Sequence, residues 1–198
     1  VGAGPGPRRQ GPGGREGVGF GPGDLGRGSR AVRLPGFPWD DPRVMDSTGA
    51  LELEEVPQSL LVIGGGYIGL EMGTVYGELG SAVTVVELLD GLLPGADRDL
   101  VKPLEKRRRE KFAGIHLNTK VVGLKDTGEK VEVKVEGSEF NGTHAFDRVL
   151  VSIGRRPVTN GIGLENTKAK VNDRGFVEVD ERQRTADPHI LAIGDVAG

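Results

Sequence analysis

From Leu60 to Gly73 the chain reads LLVIGGGYIGLEMG and places five of its 34 glycines in an otherwise apolar run. A stretch able to form ordinary core gives up side chains where backbone must touch something else. Gly64, Gly65, Gly66, Tyr67, Ile68 and Gly69 carry the G-x-G-x-x-G spacing. A buried strand pattern, Ser59 to Ile63, precedes them and a helix pattern, Tyr67 to Leu79, follows. Each spaced glycine then has its own task. Gly64 permits a tight turn, Gly66 lets main chain approach a pyrophosphate, and Gly69 lets the helix lie close on the sheet. The helix start would present unbonded N–H groups and a positive dipole end to the phosphates.

A glycine pattern alone is weak, but a partner acid is present. Glu87 closes the next strand pattern, Ala82 to Val86, and lies 18 residues after Gly69. That is about where an acid that holds the adenine ribose belongs. A 2′-phosphate about 4 Å from Glu87 would be repelled by about 4 kcal/mol per charge pair at an effective dielectric of about 20. Neither Leu88 nor Leu89 offers the arginine a 2′-phosphate needs. The expected ligand is NAD rather than NADP.

Composition limits the alternatives. A chain of 198 residues, 36% hydrophobic and 28% charged, can hold one good domain and part of another. Its net charge of -3 gives no reason to expect nucleic acid as partner, and no apolar run approaches a membrane span. There is no secretory signal pattern, and the absence of cysteine rules out disulfides, a thiolate nucleophile and cysteine-ligated metal within the sequence. A cytoplasmic protein without a metal site is expected. The text begins at Val1 and stops at AIGDVAG, and it reads as a fragment.

Along the chain, residues 1–29 stand apart. The first thirty residues hold 12 Gly, 4 Pro and 5 Arg, a composition that reads as a disordered leader or as coding sequence in the wrong frame before about Gly28. Residues 30–57 read as an extended connector punctuated by Pro35, Pro38, Pro42 and Pro57, with Ser47 capping a short helical turn and Glu52 and Glu54 near its start. After the glycine unit, Asp97 to Phe112 reads as an amphipathic helix with Leu100, Val101, Leu104 and Phe112 inward and Pro103 in its first turn. Strand patterns follow at Ile115 to Leu117, Lys120 to Leu124, Val131 to Val135, Arg148 to Ile153 and Phe176 to Val179. Alternating strands and helices imply an α/β fold: a Rossmann-like domain over 58–179 with a parallel sheet and an added β-meander. His116, His144 and His189 are scattered and read as surface or strand-edge residues.

From about Gly28 onward the chain resembles the flavin disulfide reductase family, and within it the NAD-binding part of the dihydrolipoamide dehydrogenases. The stretches that carry the likeness are PWDDPRVMDSTGALELEEVP, LLVIGGGYIGLEMGTVYGELG, VTVVE, VLVSIGRRP, RGFVEVDERQRT and HILAIGD. The resemblance implies that Gly64, Gly66 and Gly69 cradle the NAD pyrophosphate, Glu87 holds the ribose and Val121 packs on the adenine. It also implies that Gly154 approaches the nicotinamide half, that Glu71 faces the nicotinamide, and that Tyr67 gates the flavin. Asp195, in TADPHILAIGD, would bind FAD, with 180–198 the incomplete start of the returning FAD-domain segment. The redox-active cysteine pair and a catalytic His–Glu pair of the family would lie outside this sequence, so no catalytic residue is assigned here. The implied activity of a longer parent is reoxidation of dihydrolipoamide, carried on the lipoyl domain of an acyltransferase, with hydride passed through FAD to NAD in a homodimer. Two alternatives stay open: another NAD(P)-using flavin disulfide reductase or flavin transhydrogenase, and a non-catalytic NAD-binding module. A short-chain dehydrogenase does not fit, because Tyr76 is followed four residues later by Gly80 and Tyr67 by Glu71.

Overall fold

The computed structural model describes residues 21–198, together with the paired backbone of Arg9–Gln10 and Glu16–Gly17. The chain divides into two compact units, Ala31–Gly154 and a second made of Val1–Arg30 with Arg155–Gly198. The sequence reading placed boundaries at 29/30, 57/58 and 179/180; the first lies one residue from this division, and the other two do not coincide with it. The fold is α/β, as the alternation of patterns implied.

In the Ala31–Gly154 unit, five parallel strands form one sheet in the order Val44–Met45, Arg148–Val151, Ser59–Ile63, Ala82–Val86, Gly114–His116. The middle three are nearly continuous apolar runs because both of their faces are covered. Alternate residues divide between two cores, as the twofold period of a strand requires. Leu60, Val62, Val83, Val85 and Leu150 pack with Leu70, Tyr76, Val101 and Phe112 on the helical side. Leu61, Ile63, Val86, Val149 and Val151 pack with Val131, Val133, Val135 and Phe146 on the other. Those last four belong to an antiparallel meander of Lys120–Asp126, Val131–Glu136 and Gly142–Phe146. The unit is therefore three layers: helices, parallel sheet, meander.

The helices differ in detail from the sequence reading. Tyr67–Glu78 forms as expected, and its buried Tyr76 donates its hydroxyl to the Ala50 carbonyl at 2.8 Å. The short helix Ser47–Glu52 is capped by Asp46, not Ser47. The Asp46 carboxylate accepts from the N–H groups of Thr48 and Gly49 and also pairs with Arg33, which a serine could not match. Glu52 is the last residue of that helix and Glu54 lies beyond it. In Arg98–Lys111, Pro103 sits in the second turn rather than the first. It faces solvent, where water can serve the carbonyl that loses its helical donor. Val101 and Phe112 are buried there, but Leu100 is 69% exposed, because it lies about 100° around the helix from Val101.

The second unit has its own small core of Leu164, Val177, Ala192 and Val196, with Leu25, Ile162, Ala169, Val179 and Ala197 against it. Gly23–Gly26 pairs in parallel with Ile190–Ile193, so residues 23–26 of the presumed leader form a strand. Only Leu25 in that strand is a large apolar residue, and its partner lies more than 160 residues away, so no local pattern announces it. Arg9–Gln10 also pairs antiparallel with Glu16–Gly17 within the presumed leader, and the leader reading for the rest of residues 1–20 lies outside the described residues. Phe176 to Val179 does not form a strand; Val177 makes an isolated bridge to Val171. Among the described residues no helix is long and apolar enough to cross a membrane, and no group of three or more His, Asp or Glu could hold a metal ion.

Candidate functional site: the glycine turn and its acid

The order of the parallel sheet reverses beside Ser59–Ile63. The strand next in sequence, Ala82–Val86, lies on one side, and the last, Arg148–Val151, on the other. A crevice at the carboxyl ends of strands at such a reversal is where open α/β sheets bind ligands. The glycine turn begins there.

Gly64 leaves the strand with φ +107°, which favours glycine, and a Cβ on it would lie 2.5 Å from the Ser152 carbonyl oxygen. Gly69 has the helix-packing task. A Cβ there would meet the Gly64 oxygen at 2.2 Å, Ser152 Oγ at 2.6 Å and Val62 at 2.9 Å. Gly65 is less constrained, since its Cβ would meet the tip of a side chain, Leu92 Cδ2, at 2.6 Å rather than backbone. Gly66 is different. A Cβ built on it meets nothing within 4 Å, and its backbone is extended at φ -77°, ψ 179°. Packing of this chain therefore leaves room for a side chain at 66, and the space beside its backbone is available to a ligand.

Gly66 is also the N-cap of the Tyr67–Glu78 helix. No side chain caps that end, and its first turn carries no acidic residue. The turn can therefore meet an anion with main-chain N–H groups and an uncompensated dipole end.

The acid lies against this turn. Glu87 is buried, and its Oε2 accepts the Gly65 N–H at 2.6 Å while Oε1 accepts the Leu89 N–H at 2.9 Å. A carboxylate has about four acceptor positions, so each oxygen retains capacity for a further donor such as a sugar hydroxyl. The Glu87 carbonyl accepts the Thr119 N–H at 2.9 Å, which anchors the chain just before the Lys120–Asp126 strand. Val121 in that strand is half-buried, opposite Val135.

The remaining expected residues occupy defined places. Tyr67 is 63% exposed at the helix start, Ile68 is half-buried, and Glu71 is exposed one turn after Tyr67 on the same face. Gly154 follows the Arg148–Val151 strand with φ +124°, and no atom lies near the position of a Cβ. Asp195, in the second unit, is exposed on the short Gly194–Val196 turn, where it accepts the Ser29 hydroxyl and lies 3.9 Å from Arg155 Nε. The geometry thus brings Gly64, Gly65, Gly66, Gly69 and Glu87 together.

Ser152 and Leu92 were not singled out in the sequence. Ser152 donates its hydroxyl to the Ile63 carbonyl at 3.1 Å and closes the turn against the neighbouring strand. Its signal was its place at the end of the last parallel strand. Leu92 left no local signal, because its contact with Gly65 depends on how a loop folds back. A separate cleft beside the connector is lined by six acidic residues, among them Asp41, Asp46 and Glu55, against two arginines, Arg33 and Arg148, and its excess of negative charge is wrong for phosphates.

Comparison with known proteins identifies the family. The pyridine nucleotide-disulphide oxidoreductase family matches residues 25–198. Dihydrolipoyl dehydrogenase of Haemophilus influenzae is 48% identical over 174 residues, which are 88% of this chain and 36% of that protein. The Vibrio cholerae protein of the same name is 48% identical over 172 residues, 86% of this chain and 36% of that one. Among solved structures, the HOCl-induced flavoprotein disulfide reductase RclA of Escherichia coli superposes with TM-score 0.77 at 35% identity, over 87% of this chain and 39% of its own. LpdA of Mycobacterium tuberculosis gives TM-score 0.81 at 28% identity, over 96% and 41%.

The chain belongs to the pyridine nucleotide-disulphide oxidoreductase family. Proteins of this family use FAD together with NAD(H). The chain spans just over a third of the length of the curated relatives it matches, 36% in each of the two above.

Proposed function

We propose that this chain supplies the NAD site of a flavin-dependent dihydrolipoyl dehydrogenase. The observation that carries the reading is the juxtaposition of Gly66, whose flank is clear of protein atoms, with Glu87, buried and hydrogen-bonded to the next peptide at Gly65. Gly64, Gly66 and Gly69 would seat the pyrophosphate against bare main chain, and Glu87 would accept both hydroxyls of the adenine ribose. Val121 would pack on the adenine, Gly154 would approach the nicotinamide half, Glu71 would face the nicotinamide, and Tyr67 would cover the flavin until nicotinamide displaces it. The exposure of Tyr67 and Glu71 on one helix face supports those two roles. Asp195 would bind FAD, and its exposed carboxylate supports that.

The net reaction is oxidation of dihydrolipoamide to lipoamide with reduction of NAD to NADH and release of one proton. When bound, FAD supplies the two-electron relay between the dithiol and the nicotinamide. The sequence contains no cysteine, so this chain's residues bind and orient the dinucleotide and leave thiol chemistry to other parts of a longer protein. The proposed physiological electron donor is dihydrolipoamide on the lipoyl domain of an acyltransferase, and the proposed assembly is a homodimer. The names of the 48% identical relatives favour this substrate over the other disulfide reductases. The 35% identity to RclA keeps a flavoprotein disulfide reductase of other specificity as the second reading.

The test is an assay of a full-length protein that contains this segment. NAD reduction driven by dihydrolipoamide, and not by reduced glutathione, is expected. Turnover with another thiol and none with dihydrolipoamide would transfer the site to the second reading.

A further inference from the structure

Between Glu87 and the Arg98–Lys111 helix the chain runs over Leu88 to Asp97 and folds back on the glycine turn. Two contacts join loop and turn. The Leu93 N–H donates to the Gly65 carbonyl at 2.9 Å. The fully buried Leu92 side chain occupies the space a Cβ at Gly65 would need.

The first contact matters for direction. The peptide between Gly65 and Gly66 is planar and trans, so its C=O and N–H point opposite ways. Holding the Gly65 carbonyl toward Leu93 aims the Gly66 N–H away from the loop. The preceding peptide is fixed independently by the Gly65 N–H bond to Glu87.

Leu93 itself is an uncomfortable anchor. It has φ +50°, a left-handed conformation that is strained for a residue with a Cβ and persists only where its surroundings over-determine it. Arg98 provides that. Its Nη2 donates to the Leu93 carbonyl at 2.7 Å and to the Ala96 carbonyl at 2.9 Å, and its Nη1 donates to the Leu92 carbonyl at 2.9 Å. Its Nε reaches the Ala96 carbonyl at 3.2 Å. One planar fork thus ties three carbonyls of a single loop, a geometry that an ammonium cannot reproduce.

We propose that Arg98 is a positioning residue for dinucleotide binding: it locks the Leu92–Ala96 loop in the conformation that aims the Gly65–Gly66 peptide at the pyrophosphate. The proposal rests on the reading of the glycine turn as the NAD site. Arg98 acts through Leu93 and needs no contact with the ligand.

The experiment compares the full 198-residue chain with Arg98→Met and Arg98→Lys. Calorimetric titration with NAD at low salt and at about 0.5 M salt is paired with amide hydrogen exchange at Leu93 and Gly65 without ligand. Both substitutions are expected to weaken NAD on the order of tenfold, the loss of about one charge-assisted hydrogen bond, with the same ratio at both salt concentrations. Both are also expected to accelerate exchange at Leu93. Wild-type affinity in Arg98→Lys, or a loss that disappears at high salt, would make Arg98 a source of positive charge only and overturn the proposal. Unchanged Leu93 exchange in both variants would overturn it whether or not NAD binds. A wild-type chain that protects Leu93 through Arg98 but binds no NAD would instead refute the cofactor reading and leave the loop lock standing.

Discussion

The Gly65 main-chain N–H donates to Oε2 of Glu87 across 2.6 Å, so the acid at one strand tip is fastened to the glycine turn at the next. If this unit binds a dinucleotide as proposed, the acid is already joined to the turn by the hydrogen bond from Gly65 and held by a second from Leu89. Such preorganisation reduces the ordering cost of binding.

Glu87→Gln should damage both stability and binding. The amide oxygen can accept from only one of the two N–H groups at Gly65 and Leu89, and the amide NH2 faces the other. Leaving a buried donor unpaired costs about 1–3 kcal/mol. Urea denaturation should show a loss in that range, and NAD titration a weaker site. Wild-type stability in the variant would mean that the two bonds to Glu87 contribute nothing.

The glycines should separate by task. Gly64→Ala places a methyl 2.5 Å from the Ser152 oxygen at a left-handed φ, and a loss of about 1–3 kcal/mol in stability is expected. Gly66→Ala puts a methyl into open space at an ordinary φ, so stability should stay within about 0.5 kcal/mol while NAD affinity falls by about tenfold or more. Thermal unfolding with and without NAD checks both. Equal stability losses at the two positions would remove the distinction between a packing glycine and a ligand glycine.

A pH dependence follows from His116. Its ring stacks on Phe140 at 4.0 Å between centroids, and Phe140 stacks on His144 at 3.9 Å. Burial pushes the His116 imidazole below its ordinary value of 6.5, with Glu139 opposing and His144 and Arg109 adding to the depression. The unfolded chain therefore binds the proton more readily at this position. The contribution of His116 is complete above pH 6.5 and is lost as pH falls through the lower folded value. Denaturant midpoints measured from pH 8 to pH 5 should decline less steeply in His116→Phe, which keeps an aromatic ring in the stack. Parallel curves for the two proteins would contradict this.

Much of the three-layer unit was legible in the sequence for identifiable reasons. Ser59–Ile63 and Ala82–Val86 are largely apolar on both faces because both faces are covered, and the glycines at 64, 66 and 69 gained meaning from Glu87 at the end of the next strand. The elements that escaped detection are those whose stability is not local. Val44–Met45 is two residues long and exists only as an edge to Arg148–Val151. Gly23–Gly26 depends on a distant partner. Pro103 was expected in the first helical turn because that is where proline costs least, but solvent exposure made the second turn tolerable. At the candidate site, the spacing of Glu87 was readable, whereas Leu92, Leu93 and Arg98 act through a fold-back loop that leaves no periodic trace.

The central claim is that the Gly64–Glu87 unit holds a dinucleotide through bare backbone and one carboxylate, and calorimetric titration of the 198-residue chain with NAD and with NADP tests it most directly. Saturable binding of NAD is predicted, with NADP weaker by about tenfold or more because its 2′-phosphate meets Glu87. No binding of NAD, or equal affinity for the two, would contradict it.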